Sequence, residues 1–148
     1  MLDTQSINAL RLLQSADGFR AKLAGEFSAI HGISVNEFFL LMHLERAPLN
    51  RLSRAELAKR MHLSASTVTR MAAPMEKLGF VSRQTDDRDA RLTFVVLTDA
   101  GALRVQEARA TFDKKAQDLF GDRWIEEDLE ALAALLNRLV AGTASNLT

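Results

Sequence analysis

Two short stretches hold the side chains that could do chemistry. In the first, Ser64, Ser66, Thr67, Thr69 and Arg70 place four hydroxyls and one guanidinium in a single run. In the second, Asp86, Arg88, Asp89 and Arg91 alternate carboxylates with guanidiniums. Short hydroxyls and forked cations suit base edges and phosphate oxygens, and Arg70 is the best base-reading candidate because a guanidinium can bond guanine bidentately. The serine and threonine hydroxyls could serve bases or phosphates. Ser64 also suits a helix N-cap, where free N–H groups would donate to a phosphate.

The elements that must position these groups follow from periodicity. At 100° per residue, Val68, Met71, Met75 and Leu78 fall on one stripe, while Ser66, Thr69, Arg70, Ala73 and Lys77 fall on the other. One face wants a core and the other a polar partner. Gly79 can close this helix in a left-handed conformation. Pro74, which lacks an N–H and presses on the carbonyl of Arg70, predicts a bend or an opened turn. Upstream, Ser53-Arg54-Ala55-Glu56 reads as a capping box, Leu57, Ala58 and Met61 form a short apolar stripe, and His62-Leu63 leads into Ser64. That is helix, tight turn, helix. Beyond Gly79, Phe80 to Thr85 and Leu92 to Thr98 are two β-prone runs joined by the charged turn, a hairpin.

In these residues the chain resembles the MarR family of bacterial transcription regulators. The resemblance lies in Ser64-x-Ser66-Thr67-Val68-Thr69-Arg70, in Glu76-Lys77-Leu78-Gly79-Phe80-Val81, in Asp86-x-Arg88-Asp89-x-Arg91, and in Leu97-Thr98-Asp99-Ala100-Gly101. It implies a mainly α fold with a small β-wing: a winged helix-turn-helix module plus N- and C-terminal dimerisation helices. It also implies that the segment from Leu49 to Leu52 adds a short strand to the wing, that Arg88 contacts DNA and that Asp89 supports the wing. On chemistry alone, Arg88 at the hairpin turn can enter a narrow minor groove, and Asp86 and Asp89 would orient Arg88 or Arg91 by paired hydrogen bonds.

The rest of the chain reads as helices. From about Gln5 to Ile30, Ile7, Leu10 and Leu13 share one stripe and Leu23, Phe27 and Ile30 a later one. Ser34-Val35-Asn36-Glu37 is a capping box opening an apolar helix that Ala47-Pro48 ends. Thr98-Asp99 caps a long helix with Leu103, Ala108, Phe112, Lys115 and Leu119 on its stripe, and Gly121 stops it. A last helix carries Leu129, Leu132, Leu135, Leu136, Leu139 and Val140. One domain, residues 1–148, is expected, with 1–33 and 99–148 as dimerisation helices and 34–98 as the winged region.

Composition sets the outer limits. Of the residues, 47% are apolar, enough for a core, and there is neither a bilayer-length apolar run nor a signal-peptide layout, so a cytoplasmic protein with no membrane partner is expected. Net charge is zero, yet residues 51–104 hold 10 basic and 6 acidic side chains and the remainder 9 and 13, so the basic surplus sits on the module. Cysteine is absent, which removes thiolate chemistry, and His31, His43 and His62 are too scattered for a metal cluster. No cofactor is called for. No Gly-rich phosphate loop, HExxH or GxSxG supports an enzyme.

The expectation is a homodimeric repressor on a palindromic operator in double-stranded DNA, because one module covers too few base pairs for specific control. Family resemblance further implies release by a small aromatic or phenolic effector, for which Phe27, His31, Phe39, Met42, His43 and Phe112 could line a pocket. The competing readings are a winged helix that binds only protein and a co-regulator that responds to no ligand.

Overall fold

The carboxylate of Asp3 opens the first helix, accepting from the Ser6 N–H at 2.7 Å. In this computed structural model, which describes residues 1–148, α1 (Thr4–Glu26) then continues into a π-helical turn, Phe27–His31, closed by Gly32 at φ 64°. A π turn is wider than an α turn, so residues beyond its start rotate off the preceding stripe. Phe27 and His31 consequently point inward, whereas Ile30, expected beside Leu23 and Phe27, is 62% exposed.

Ser34 and Glu37 form the complete capping box of α2 (Val35–Arg46): each side chain accepts the other's backbone N–H, at 3.0 and 2.9 Å. Burial of Val35, Phe38, Leu40, Leu41, His43 and Leu44 makes α2 the central helix. Ala47 is extended ahead of Pro48, as the proline ring requires, and a short turn leads to β1 (Arg51–Ser53).

Ser53 caps α3 (Arg54–Met61), accepting from the Glu56 N–H at 3.1 Å. The expected return bond from Glu56 is not made, because its carboxylate pairs with Arg60 one turn on, at 3.1 Å. His62, left-handed at φ 55°, turns the chain into α4 (Ala65–Lys77). Then follow β2 (Val81–Thr85), β3 (Thr93–Leu97), α5 (Asp99–Phe120) and α6 (Glu126–Val140). The sheet is antiparallel in the order β1-β3-β2, with Val95 opposite both Leu52 and Arg83.

A single cluster of 20 buried apolar residues joins α1, α2, α3, α4, the sheet and α5. At its centre Phe27 meets Phe38 at 4.9 Å, and Phe112 meets Phe38 and Phe19, each at 5.7 Å between ring centroids. Every fully buried ring of this kind contributes roughly 1.5–3 kcal/mol. On α5 the buried positions are Gly101, Val105 and Ala108; of the expected stripe Ala108 is buried and Phe112 packs on the core, while Leu103 is 57% exposed and Leu119 39%. A Cβ at Gly101 would lie 2.0 Å from the Phe80 carbonyl oxygen, so only glycine allows this face of α5 to seat against the end of the module. α6 buries nothing within the subunit, leaving Leu135, Leu136, Leu139 and Val140 exposed.

Candidate nucleic-acid interface

Helix α4 divides as its periodicity predicts. Val68 and Met75 are buried and Met71 half-buried, while Ser66, Thr69, Arg70, Ala73 and Lys77 are exposed. Leu78 departs from the pattern, being 60% exposed, because the helix stops beneath it. The stop is a Schellman motif: Phe80 N–H donates to Met75 O at 2.9 Å and Gly79 N–H to Glu76 O at 3.0 Å, with Gly79 at φ 81°. Pro74 opens no turn; the helix continues through it to Lys77.

At the N-terminus of α4 the hydroxyls form a small network. Ser64 Oγ accepts from the Thr67 N–H at 3.1 Å and lies 2.7 Å from Thr67 Oγ1 and 3.0 Å from Ser66 Oγ. Arg70 Nη2 donates to Thr67 Oγ1 at 3.4 Å, so Thr67 steadies the guanidinium. Thr69 donates to the Ala65 carbonyl at 3.1 Å, which leaves its lone pairs as acceptors. Hydrogen bonds therefore link Ser64, Ser66, Thr67 and Arg70 at the start of α4, with Ser64 acting as N-cap, while Thr69 is exposed but outside that network.

In the wing, Asp86 does not hold an arginine side chain. Its Oδ1 accepts the backbone N–H groups of Arg88 at 2.7 Å and Asp89 at 3.0 Å, fixing the turn itself. Asp89 Oδ1 takes the Arg91 N–H at 3.0 Å and its Nε at 3.4 Å. Arg88 has no carboxylate partner and stands exposed at the tip. Exposed carboxylates oriented this way shape the hairpin while leaving one guanidinium free.

Several contributors had no sequence signal. Glu76 and Arg83 pair at 3.1 Å across the Gly79 turn, tying α4 to β2. No helical or strand period relates those positions. Arg54, Thr69, Ser82 and Arg83 line a notch of about 90 Å³ between α4 and the wing. Arg51 lies 4.4 Å above the Phe94 ring and donates to Gln84 Oε1 at 2.7 Å, bracing the sheet's outer face.

The six residues expected to line one pocket do not meet in one. Phe27 and His31 are buried, His31 Nε2 lies 2.7 Å from Thr111 Oγ1, and Phe112 stacks in the core. Met42 is half-buried against the same core. Aromatic residues at helical spacing have filled the interior, as they commonly do. Phe39 and His43 instead line a cavity of about 250 Å³ with Arg20, Arg60, Met61 and His62. Burial of His43, with Arg60 and Arg46 nearby, pushes its imidazole down to about 4, so it is neutral at neutral pH.

Comparison with known proteins bears on these features. The model of the MarR family matches residues 33–93. The Bacillus subtilis (strain 168) regulator YdgJ, an uncharacterized HTH-type protein, is 28% identical over 131 residues, covering 86% of this chain and 79% of YdgJ. The HTH-type transcriptional repressor YetL of the same organism is 36% identical over 81 residues, 55% of this chain and 48% of YetL. The fold matches that of Sco3205, a MarR family regulator from Streptomyces coelicolor crystallised with DNA, with a TM-score of 0.80, 24% identity, and coverage of 96% and 89%. The match to the MarR family model thus runs from the start of α2 through α3, α4 and β2 into β3, and the fold of the whole chain, with its three-stranded sheet and flanking helices, is that of Sco3205.

Proposed function

We propose that this protein is a homodimeric transcriptional repressor that grips a palindromic operator and lets go when a small aromatic anion binds. The observation that carries the reading is the exposure of Ser66, Thr69 and Arg70 and of the unpaired Arg88 tip on elements that share one core. α4 would enter the major groove by its N-terminal residues while Arg88 enters the adjacent minor groove. The DNA held by Sco3205, and the repressor activity in YetL's name, support this by similarity.

Dimerisation is supported by α6. Its exposed leucines face α1 across a groove of about 610 Å³ lined by Leu12, Leu132, Leu135, Leu136 and Leu139. A two-fold partner would cover such surface and hold the two modules one DNA turn apart, about 34 Å.

The effector would sit among Arg20, Phe39, His43, Arg60 and His62, where guanidiniums attract a carboxylate or phenolate and Phe39 receives a ring. His62 makes the turn into α4, so a ligand there bears on the angle of the reading head. Such a ligand acts only by favouring the geometry that does not fit DNA. A gel-shift titration with DNA from upstream of the protein's own gene, repeated with salicylate, tests the reading. Sequence-selective, salt-sensitive binding that salicylate reverses is expected; absence of binding at low salt overturns it.

A further inference from the structure

The notch between α4 and β2 opens onto the edge of α4 proposed to face DNA, because Thr69 and Ala73 belong to both. Its α4 flank is low. Ala72 and Ala73 carry only methyl groups, and the Thr69 hydroxyl turns back to the Ala65 carbonyl at 3.1 Å, which leaves room for another chain to come close. Charge around the notch is unbalanced. Arg83 neutralises Glu76, and Arg60 neutralises Glu56, each at 3.1 Å, so Arg54 is left without a carboxylate partner. Arg54 is also the first residue of α3, at the end where the helix dipole is positive and disfavours a cation. A half-buried guanidinium placed against that dipole gains nothing electrostatically from its own subunit, and such a break with a local rule points to a partner outside it.

We propose that this notch is a phosphate seat for the DNA strand that separates the two grooves, with Arg54 as its cation. The inference rests on the DNA reading above. Neighbouring major and minor grooves are divided by one sugar-phosphate strand, so with α4 in one groove and Arg88 in the other that strand crosses the surface between helix and hairpin, where the notch lies. Arg54 breaks no ion pair to take a phosphate, and Arg83, whose Nε is engaged by Glu76, has its terminal N–H groups spare for the same anion. A contact of this kind fixes the register of the protein on the duplex and reads no sequence.

The test compares the full chain with its Arg54→Gln variant on DNA from upstream of the protein's own gene and on an unrelated duplex of equal length. Arg54→Gln should weaken both by the same factor, about 3- to 10-fold, and reduce the slope of log affinity against log salt by about one unit per bound subunit. Its urea midpoint should be equal or higher, since a cation leaves the positive end of α3. Replacing single phosphates of the bound segment by neutral methylphosphonates then locates the contact. One position per half-site should weaken the unsubstituted protein several-fold and leave Arg54→Gln unaffected. An unchanged salt slope, whatever the midpoint, overturns the seat, and so does a reduced slope with no phosphate whose neutralisation the variant masks; in both cases the DNA reading stands. An unsubstituted protein that binds neither duplex at low salt removes the DNA reading and the seat together.

Discussion

Arg83 on strand β2 and Glu76 on helix α4 meet with Nε and Oε2 3.1 Å apart, joining the helix to the hairpin that would enter neighbouring DNA grooves under the proposed function. Both side chains are substantially exposed, so the pair adds less than about 1 kcal/mol to stability. Its effect on DNA should have a distinctive sign. Removing Glu76 deletes a negative charge, which by net charge alone would tighten binding. Positioning predicts that Glu76→Ala weakens operator affinity about three- to tenfold at unchanged urea midpoint. Tighter binding in a fluorescence anisotropy titration would refute the positioning role.

Arg88 should behave as a phosphate or groove contact rather than a structural residue. Its side chain holds nothing in the subunit, while its backbone is fixed by Asp86. Arg88→Ala is expected to leave stability within about 0.5 kcal/mol, weaken binding across sequences, and reduce the slope of log affinity against log salt by about one unit. Titrations at four salt concentrations measure this; an unchanged slope removes Arg88 from the interface.

The seat of α5 depends on Gly101. Gly101→Ala puts a methyl 2.0 Å from the Phe80 carbonyl oxygen, backbone rather than a flexible side chain, and should cost about 1–3 kcal/mol or more. Thr98 sits at the same junction, its Oγ1 accepting the Gly101 N–H at 3.1 Å and donating to the Gly79 carbonyl at 2.5 Å. Gly25→Ala, where the added methyl meets nothing within 4 Å, is the control. Urea denaturation should separate the two substitutions clearly; equal midpoints would mean that α5 can shift.

How much of this was legible in the sequence depends on the range of the interaction. Caps and stops are local, so Ser34, Ser53, Ser64, Thr98 and Gly79 could be read directly, and Val68 and Met75 followed from a single helical period. Ile30 leaves its expected face because a π turn has no periodic trace, whereas Leu103, five residues before Ala108, lies about 140° away from it around the helix and so belongs to another face. In the wing, Asp89 orients Arg91 by paired bonds, as its chemistry suggests, whereas Asp86, beside the turn, reaches only backbone N–H groups. The expected pocket dissolved for a related reason. Aromatic type reveals a wish for burial, and only the packing of three helices decides which aromatics border empty space.

Acid should destabilise the protein through His43. In the unfolded chain its imidazole protonates near 6.5, whereas in the fold it resists protonation to about 4. Between these values the unfolded state binds more protons, so stability rises with pH there and falls as pH drops, by at most about 1.4 kcal/mol per unit. Urea midpoints measured from pH 7 to pH 4.5 should decline, and His43→Gln should flatten that part of the decline. An identical profile in the variant would assign the acid sensitivity elsewhere.

Hydroxyl-radical footprinting of the protein on DNA from upstream of its own gene is the most direct measurement of whether two reading heads share one duplex. Two protected half-sites centred one helical turn apart, about 10 base pairs, with flanking minor-groove protection that disappears in Arg88→Ala, are predicted. Protection of a lone half-site, or a footprint indifferent to both Arg70→Ala and Arg88→Ala, would contradict the account.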